Sequence, residues 1–184
     1  MIRNLLPVVT LTFAVQSLVT SAAYAETPAE VTQKVVAAAD SLIGKLSKEQ
    51  QAKVQFAFDD EEQRRRWSNL PTGIVRREGL RMGDLSAEQK EAVFSVLRAT
   101  LSEKGFQQVI DNIEGDEALR QKERNGRLVF GRDEYYFSIL GKPSTQTPWM
   151  WQFGGHHFAI NATVVGERIT LAPSLTEVNL SITR

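Results

Sequence analysis

The sequence predicts an α+β fold, N-terminal helices packed on a C-terminal antiparallel β-sheet, and three observations carry that expectation. Apolar residues recur at helical spacing behind clear N-caps from Thr27 to about Glu123. From Leu128 onward the period falls to two, and strand-forming residues follow one another between glycines at hairpin distances. Helices first and strands second, with no alternation of the two, put the helices on one face of the sheet.

The first helix opens at Thr27-Pro28-Ala29-Glu30, a capping box with proline at the first helical position. Val31, Val35, Val36, Ala39, Leu42 and Ile43 then share one face until Gly44 ends it. Leu46-Ser47-Lys48-Glu49-Gln50 opens a second helix with a serine cap, a glutamine to answer it and a leucine staple. The same start recurs as Leu85-Ser86-Ala87-Glu88-Gln89, before a helix with Val93, Phe94, Leu97 and Leu101 on its apolar side. Two copies of a common cap are weak evidence of duplication. A further short helix is marked by Phe106, Val109, Ile110 and Ile113 after Gly105.

Between the second and third of these helices lies Phe58-Asp59-Asp60-Glu61-Glu62-Gln63-Arg64-Arg65-Arg66-Trp67. Asp60 with Arg64, Glu61 with Arg65 and Glu62 with Arg66 are i,i+4 pairs with the acid first, the favourable order on a helix. The run is therefore expected to neutralise itself on a solvated helical turn. Leu70-Pro71-Thr72-Gly73 breaks the helix, and Ile74 to Asp84 reads as a basic connector. In the second half, Tyr135 to Leu140, Trp149 to Phe153, His156 to Val165 and Arg168 to Leu171 read as strands. Gly154-Gly155 is expected to separate the middle two, and Gly166-Glu167 to turn the last hairpin.

Before all of this, Met1 to Ala25 has the form of a secretory signal: Arg3, an apolar run from Leu5 to Thr20 and an Ala23-Tyr24-Ala25 end, with cleavage expected after Ala25. An exported protein, periplasmic or extracellular, is the expectation, with no stable membrane anchor after cleavage. The whole chain of 184 residues carries 22 basic and 22 acidic side chains, and loss of Arg3 leaves 21 against 22. That balance excludes a nucleic-acid grip built on bulk charge. The absence of cysteine excludes disulfides, thiolate catalysis and cysteine-ligated metal centres. No Gly-x-Ser-x-Gly elbow, phosphate-cradling glycine loop or His-Glu-x-x-His motif occurs.

Two candidate sites remain. The two histidines of the chain, His156 and His157, are adjacent and follow the glycine pair. With a carboxylate such as Asp133 or Glu134 they are candidates for a mixed-ligand zinc or copper site. In a regular strand, however, neighbouring rings face opposite ways, so a shared ion needs a bulge. The competing expectation is one imidazole packed in the core with its second nitrogen bonded to a carbonyl, the other exposed. The second candidate is an aromatic platform of Trp149, Trp151, Tyr135 and Tyr136 that stacks a sugar or another flat ligand, against the alternative that these rings fill the sheet–helix interface. Two glycosylation-type sequons, at Asn161 and Asn179, are read as chance matches.

Several blocks together resemble the DUF3500 family of bacterial proteins. They are Phe58-Asp59-Asp60 with Trp67, Leu85-Ser86-x-Glu88-Gln89, Leu101-Ser102-Glu103-Lys104-Gly105-Phe106, Glu134 to Gly141, and Trp149-x-Trp151-x-Phe153-x-Gly155-His156-His157-Phe158-x-Ile160-Asn161. The resemblance spans residues 46–172 and implies that the tyrosine strand and the histidine pair belong to the family pattern. It assigns no activity. Members are often longer, with a second portion carrying another histidine-containing strand. This chain is accordingly expected to comprise a signal (1–25), one domain (26–172) and a divergent tail (173–184), the organisation of a truncated member.

Overall fold

The computed structural model describes residues 26–122 and 128–176. Residues 1–25, with the expected signal and its cleavage point at Ala25, and the last eight residues, Asn179 among them, lie outside the described residues. In chain order the elements are α1 (Pro28–Gly44), α2 (Lys48–Val54), β1 (Gln55–Phe56), α3 (Glu61–Arg65), β2 (Leu80–Arg81), α4 (Ala87–Thr100), α5 (Glu103–Lys122), β3 (Tyr136–Leu140), β4 (Trp149–Gly155), β5 (Phe158–Val165) and β6 (Arg168–Thr176). No described helix is long and apolar enough to cross a membrane. The architecture is α+β.

The capping signals act as the sequence implies. Thr27 with Glu30, Ser47 with Gln50 and Ser86 with Gln89 each close a reciprocal capping box. The repeated start has a use beyond capping. Gln50 and Gln89 donate to each other's side-chain oxygens at 3.2 and 2.9 Å, so the two helix entries sit against one another. Gln89 also donates to the Lys45 carbonyl, tying the α1 exit to the same point. The fourth expected helix is longer than its apolar residues suggest: α5 runs 20 residues and takes Gly105 into its first turn.

The sheet is mixed rather than purely antiparallel, in the order β1-β3-β4-β5-β6, with β1 parallel to β3 and β2 antiparallel to it along the same edge. Phe137, Ile139, Trp149, Trp151, Phe153, Phe158, Ile160, Ala162 and Val164 fall on one face by register and join Val35, Leu42, Val93 and Leu97 of the helices in a single core. Burial of this apolar face is the main driving force of the fold. The opposite face was expected to be free of helices; it is instead covered by α3 and the connector after it. Ser138, Gln152 and Asn161 line up there across three strands. Gln63 from α3 donates to Ser138 Oγ (3.1 Å) and Gln152 Oε1 (3.0 Å), Gln152 donates to Asn161 Oδ1 (2.9 Å), and Asn161 donates to the Pro173 carbonyl (2.8 Å). Asn161 has no exposed surface.

The charge run thus has a buried member. α3 is only five residues, with Asp60 as its N-cap accepting from the Gln63 amide at 2.9 Å. Capping takes Asp60 away from Arg64, which pairs with Glu61 and donates to the Phe58 carbonyl. The expected Glu61–Arg65 and Glu62–Arg66 pairs form.

Two further expectations change at the sheet's ends. Residues 173–176, read as tail, continue β6 alongside β5 past an irregularity in register opposite Ile160 to Ala162. Gly154 and Gly155 are strand residues rather than a turn. A Cβ on Gly154 would stand 2.8 Å from the Phe158 carbonyl, and one on Gly155 would stand 2.9 Å from the Tyr135 ring. Glycine is needed there for close approach, and the turn between β4 and β5 is His156-His157 itself.

The C-terminal turn of α5 is docked by Glu117, which accepts from Arg120 at 2.5 and 3.0 Å and from the Arg132 amide at 3.3 Å. The Arg120 hydrogen bond is the largest of the influences that take its carboxyl from 4.5 to about 2, against the opposing effect of burial. Because the folded-state value is depressed, the stabilisation is fully present above about pH 4.5 and is lost as pH falls towards 2. Glu117→Gln is expected to flatten the fall in stability across that interval in acid titrations of unfolding; identical slopes in the two proteins would remove Glu117 as the docking group.

Candidate functional site

The two imidazoles meet at the tip of the β4–β5 hairpin. A two-residue turn with a positive φ at its second position is unusual without glycine or asparagine, and His157 sits there at φ 57. Its amide donates to the Asn69 carbonyl at 2.8 Å. The turn geometry removes the strand alternation that would have separated the rings: they stack with centroids 3.7 Å apart and planes 28° apart. His156 is buried at 8% exposure, under the Phe130 ring at 4.8 Å, and His157 is half-buried. One packed imidazole agrees with the competing expectation, but its partner is a carboxylate rather than a carbonyl and the second ring is half-buried rather than exposed.

The bond comes from an unexpected residue. Asp116 Oδ1 lies 2.9 Å from His156 Nδ1, and the Tyr135 hydroxyl lies 3.1 Å from Asp116 Oδ2 and 3.3 Å from the His156 carbonyl. Burial, reinforced by the Asp116 charge, pushes the Tyr135 phenol far above its ordinary range, so it stays protonated and donates. With the phenol on one carboxylate oxygen, the other accepts from His156, which places a proton on Nδ1 and turns Nε2 away from the carboxylate.

Asp116 reaches the hairpin because α5 aims it there. The buried positions of that helix are Val109, Asn112, Ile113, Asp116 and Glu117, a stripe that begins apolar and ends in two carboxylates. A carboxylate in register with Val109 and Ile113 was the signal available in the sequence, and reading the helix as ending earlier hid it. Arg77 braces the other side of the tip. Its guanidinium donates to the carbonyls of Ser68 (2.9 Å), Leu70 (2.5 Å) and Gly155 (2.8 Å), and burial lowers its pKa.

The carboxylates expected to complete a metal site are engaged elsewhere. Glu134 is buried and accepts from Arg81 at 2.5 and 3.1 Å, while Asp133 lies 3.6 Å from Lys90. Among the described residues no group of three or more His, Asp or Glu side chains is arranged to hold a metal ion. The aromatic platform also fails to form. Trp149, Trp151 and Tyr135 have no exposed surface and face the helices, because their register places them on the core side of the sheet. Tyr136, one residue out of phase, is half-buried on the opposite face.

A family model described as "Protein of unknown function (DUF3500)" matches residues 28–181. The chain belongs to the DUF3500 family. No curated protein and no solved structure matches it. In this DUF3500 chain the family match begins where α1 begins and extends past residue 172 through the end of β6.

Replacing the Asp116 carboxylate by an amide leaves one acceptor oxygen where the buried phenol and imidazole of the DUF3500 site each use one. Asp116→Asn is expected to lower unfolding stability by about 1–3 kcal/mol, the cost of an unsatisfied buried group. Urea denaturation measures it, and an unchanged midpoint would show that the triad does not hold the hairpin tip.

Proposed function

We propose that this DUF3500 chain is an exported protein that binds a small polar ligand at the His156–His157 turn, with Nε2 of His156 accepting from an O–H or N–H group of the ligand. The 2.9 Å contact between Asp116 and His156 carries this reading. A buried carboxylate that fixes the tautomer and orientation of an imidazole is the arrangement that prepares the second nitrogen for a ligand or a proton. His157, stacked alongside, supplies a second imidazole at the same place. Export is supported by the signal-like residues 1–25 and by a cysteine-free chain, which oxidation cannot scramble.

One observation favours zinc or copper as the ligand: metal-bound imidazoles commonly donate their other N–H to a carboxylate, as His156 does to Asp116. The stacking weighs against it. Imidazole lone pairs lie in the ring planes, and planes 28° apart and stacked do not converge on one ion. Such an ion would take one imidazole together with water or groups from another chain.

The test uses protein from the exported fraction of its host, expected by mass spectrometry to begin at Glu26. Thermal shift against hydroxylated and amide-bearing small molecules, and against zinc and copper with a chelator control, is expected to give a saturable rise in Tm. That rise is reduced in His156→Gln. No saturable rise with any of these probes, or an equal rise in the variant, would overturn the assignment.

A further inference from the structure

A small cavity lies between α3 and the polar face of the sheet, lined among others by Gln63, Arg66, Trp67, Tyr136 and Gln152, with about 30 Å³ of free volume. The buried hydrogen-bond ladder fixes what the cavity displays. Its ends are main-chain carbonyls, Pro173 O accepting from Asn161 and Glu78 O accepting from Ser138, and carbonyls cannot donate. Each side-chain amide in the ladder is thereby oriented, and Gln63 must turn its NH₂ inward to Ser138 and Gln152. Gln63 Oε1 is left without a hydrogen-bond partner in the protein although the residue is only 3% exposed. Arg66 Nε is likewise buried and unpartnered. Buried polar atoms without partners are costly, and two in one cavity, one acceptor and one donor, call for a group that both donates and accepts.

The charges at the cavity favour a neutral group. Arg66 is paired with Glu62 and approaches Glu78 at 3.9 Å, and Arg77 directs Nη2 to carbonyls and Nη1 to the Thr72 hydroxyl. The volume admits a group of water size and not a ring. Trp67, 37% exposed, lines the cavity and offers an accessible aromatic surface beside it.

We infer that this cavity is a subsite for a hydroxylated ligand of sugar or polyol chemistry, one hydroxyl entering to pair with Gln63 Oε1 and Arg66 Nε while the carbon skeleton lies against Trp67. The inference is independent of the histidine turn and stands or falls separately from it.

Nitrogen–proton NMR of the full exported chain, titrated with methyl pyranosides and glycerol and in parallel with acetate and phosphate, tests it. The expected result is a saturable shift of the Arg66 Nε–H and Trp67 indole signals with the sugars and not with the anions. Trp67→Ala, a change at an exposed side chain, is expected to weaken sugar binding about tenfold, read at Arg66. His156 and His157 signals report on the hairpin tip in the same spectra. No saturable sugar response at Arg66 and Trp67, a response to anions instead, a response confined to the histidines, or undiminished binding by Trp67→Ala would each overturn the inference.

Discussion

A carboxylate carried into the core by a helix must find donors there, because an uncompensated buried charge costs several kcal/mol. Asp116 finds two, the Tyr135 phenol and the His156 imidazole, and in doing so joins α5, the start of β3 and the β4–β5 turn at one point. Much of the neighbourhood follows from that junction. Gly155 must be glycine because the Tyr135 ring passes over it on the way to Asp116. The turn must fall on His156 and His157 because the β4 glycines are used for close approach. The stacked rings then sit at a hairpin tip held by Asp116 within and by Arg77 and Asn69 from the connector.

The sheet solves two different problems on its two faces. Towards α1 and α4 it presents rings and branched aliphatics, and simple removal of apolar area from water holds that layer. Towards α3 it presents Ser138, Gln152 and Asn161, which are stable in burial only if every donor and acceptor is matched. Gln63 closes that ladder from outside the sheet. The same closure commits the unpaired end of Gln63 to the cavity beside Arg66 and Trp67. A polar layer of this kind is specific about direction in a way an apolar one is not, since its carbonyl ends dictate the orientation of each amide between them.

What the sequence made legible was what local chemistry decides. Three capping boxes place their helices within a residue or so, and Gly166 with its positive φ marks the β5–β6 turn as expected. The α+β layering follows from the change of period. The site was less legible because its members act over long sequence separations. Asp116 looks like an ordinary exposed acid until α5 is seen to continue beyond Ile113, and Gln63 is hidden inside a run whose charges draw attention to salt bridges. His156 and His157 were visible as a pair, yet their meaning depended on whether the preceding glycines make a turn or a strand. That choice is made by contacts with Tyr135 and Phe158, which no local pattern reveals. The tryptophans were misleading for the opposite reason: strand alternation put them on one face correctly, and nothing local said that the face was the buried one.

The junction at Asp116 can be read directly from the ring nitrogens of His156. Long-range nitrogen–proton correlation at neutral pH is predicted to show a proton held on Nδ1 and slow to exchange. A ring protonated at Nε2 alone, or one averaging freely between tautomers, would contradict the carboxylate–imidazole bond on which the structure of this junction rests.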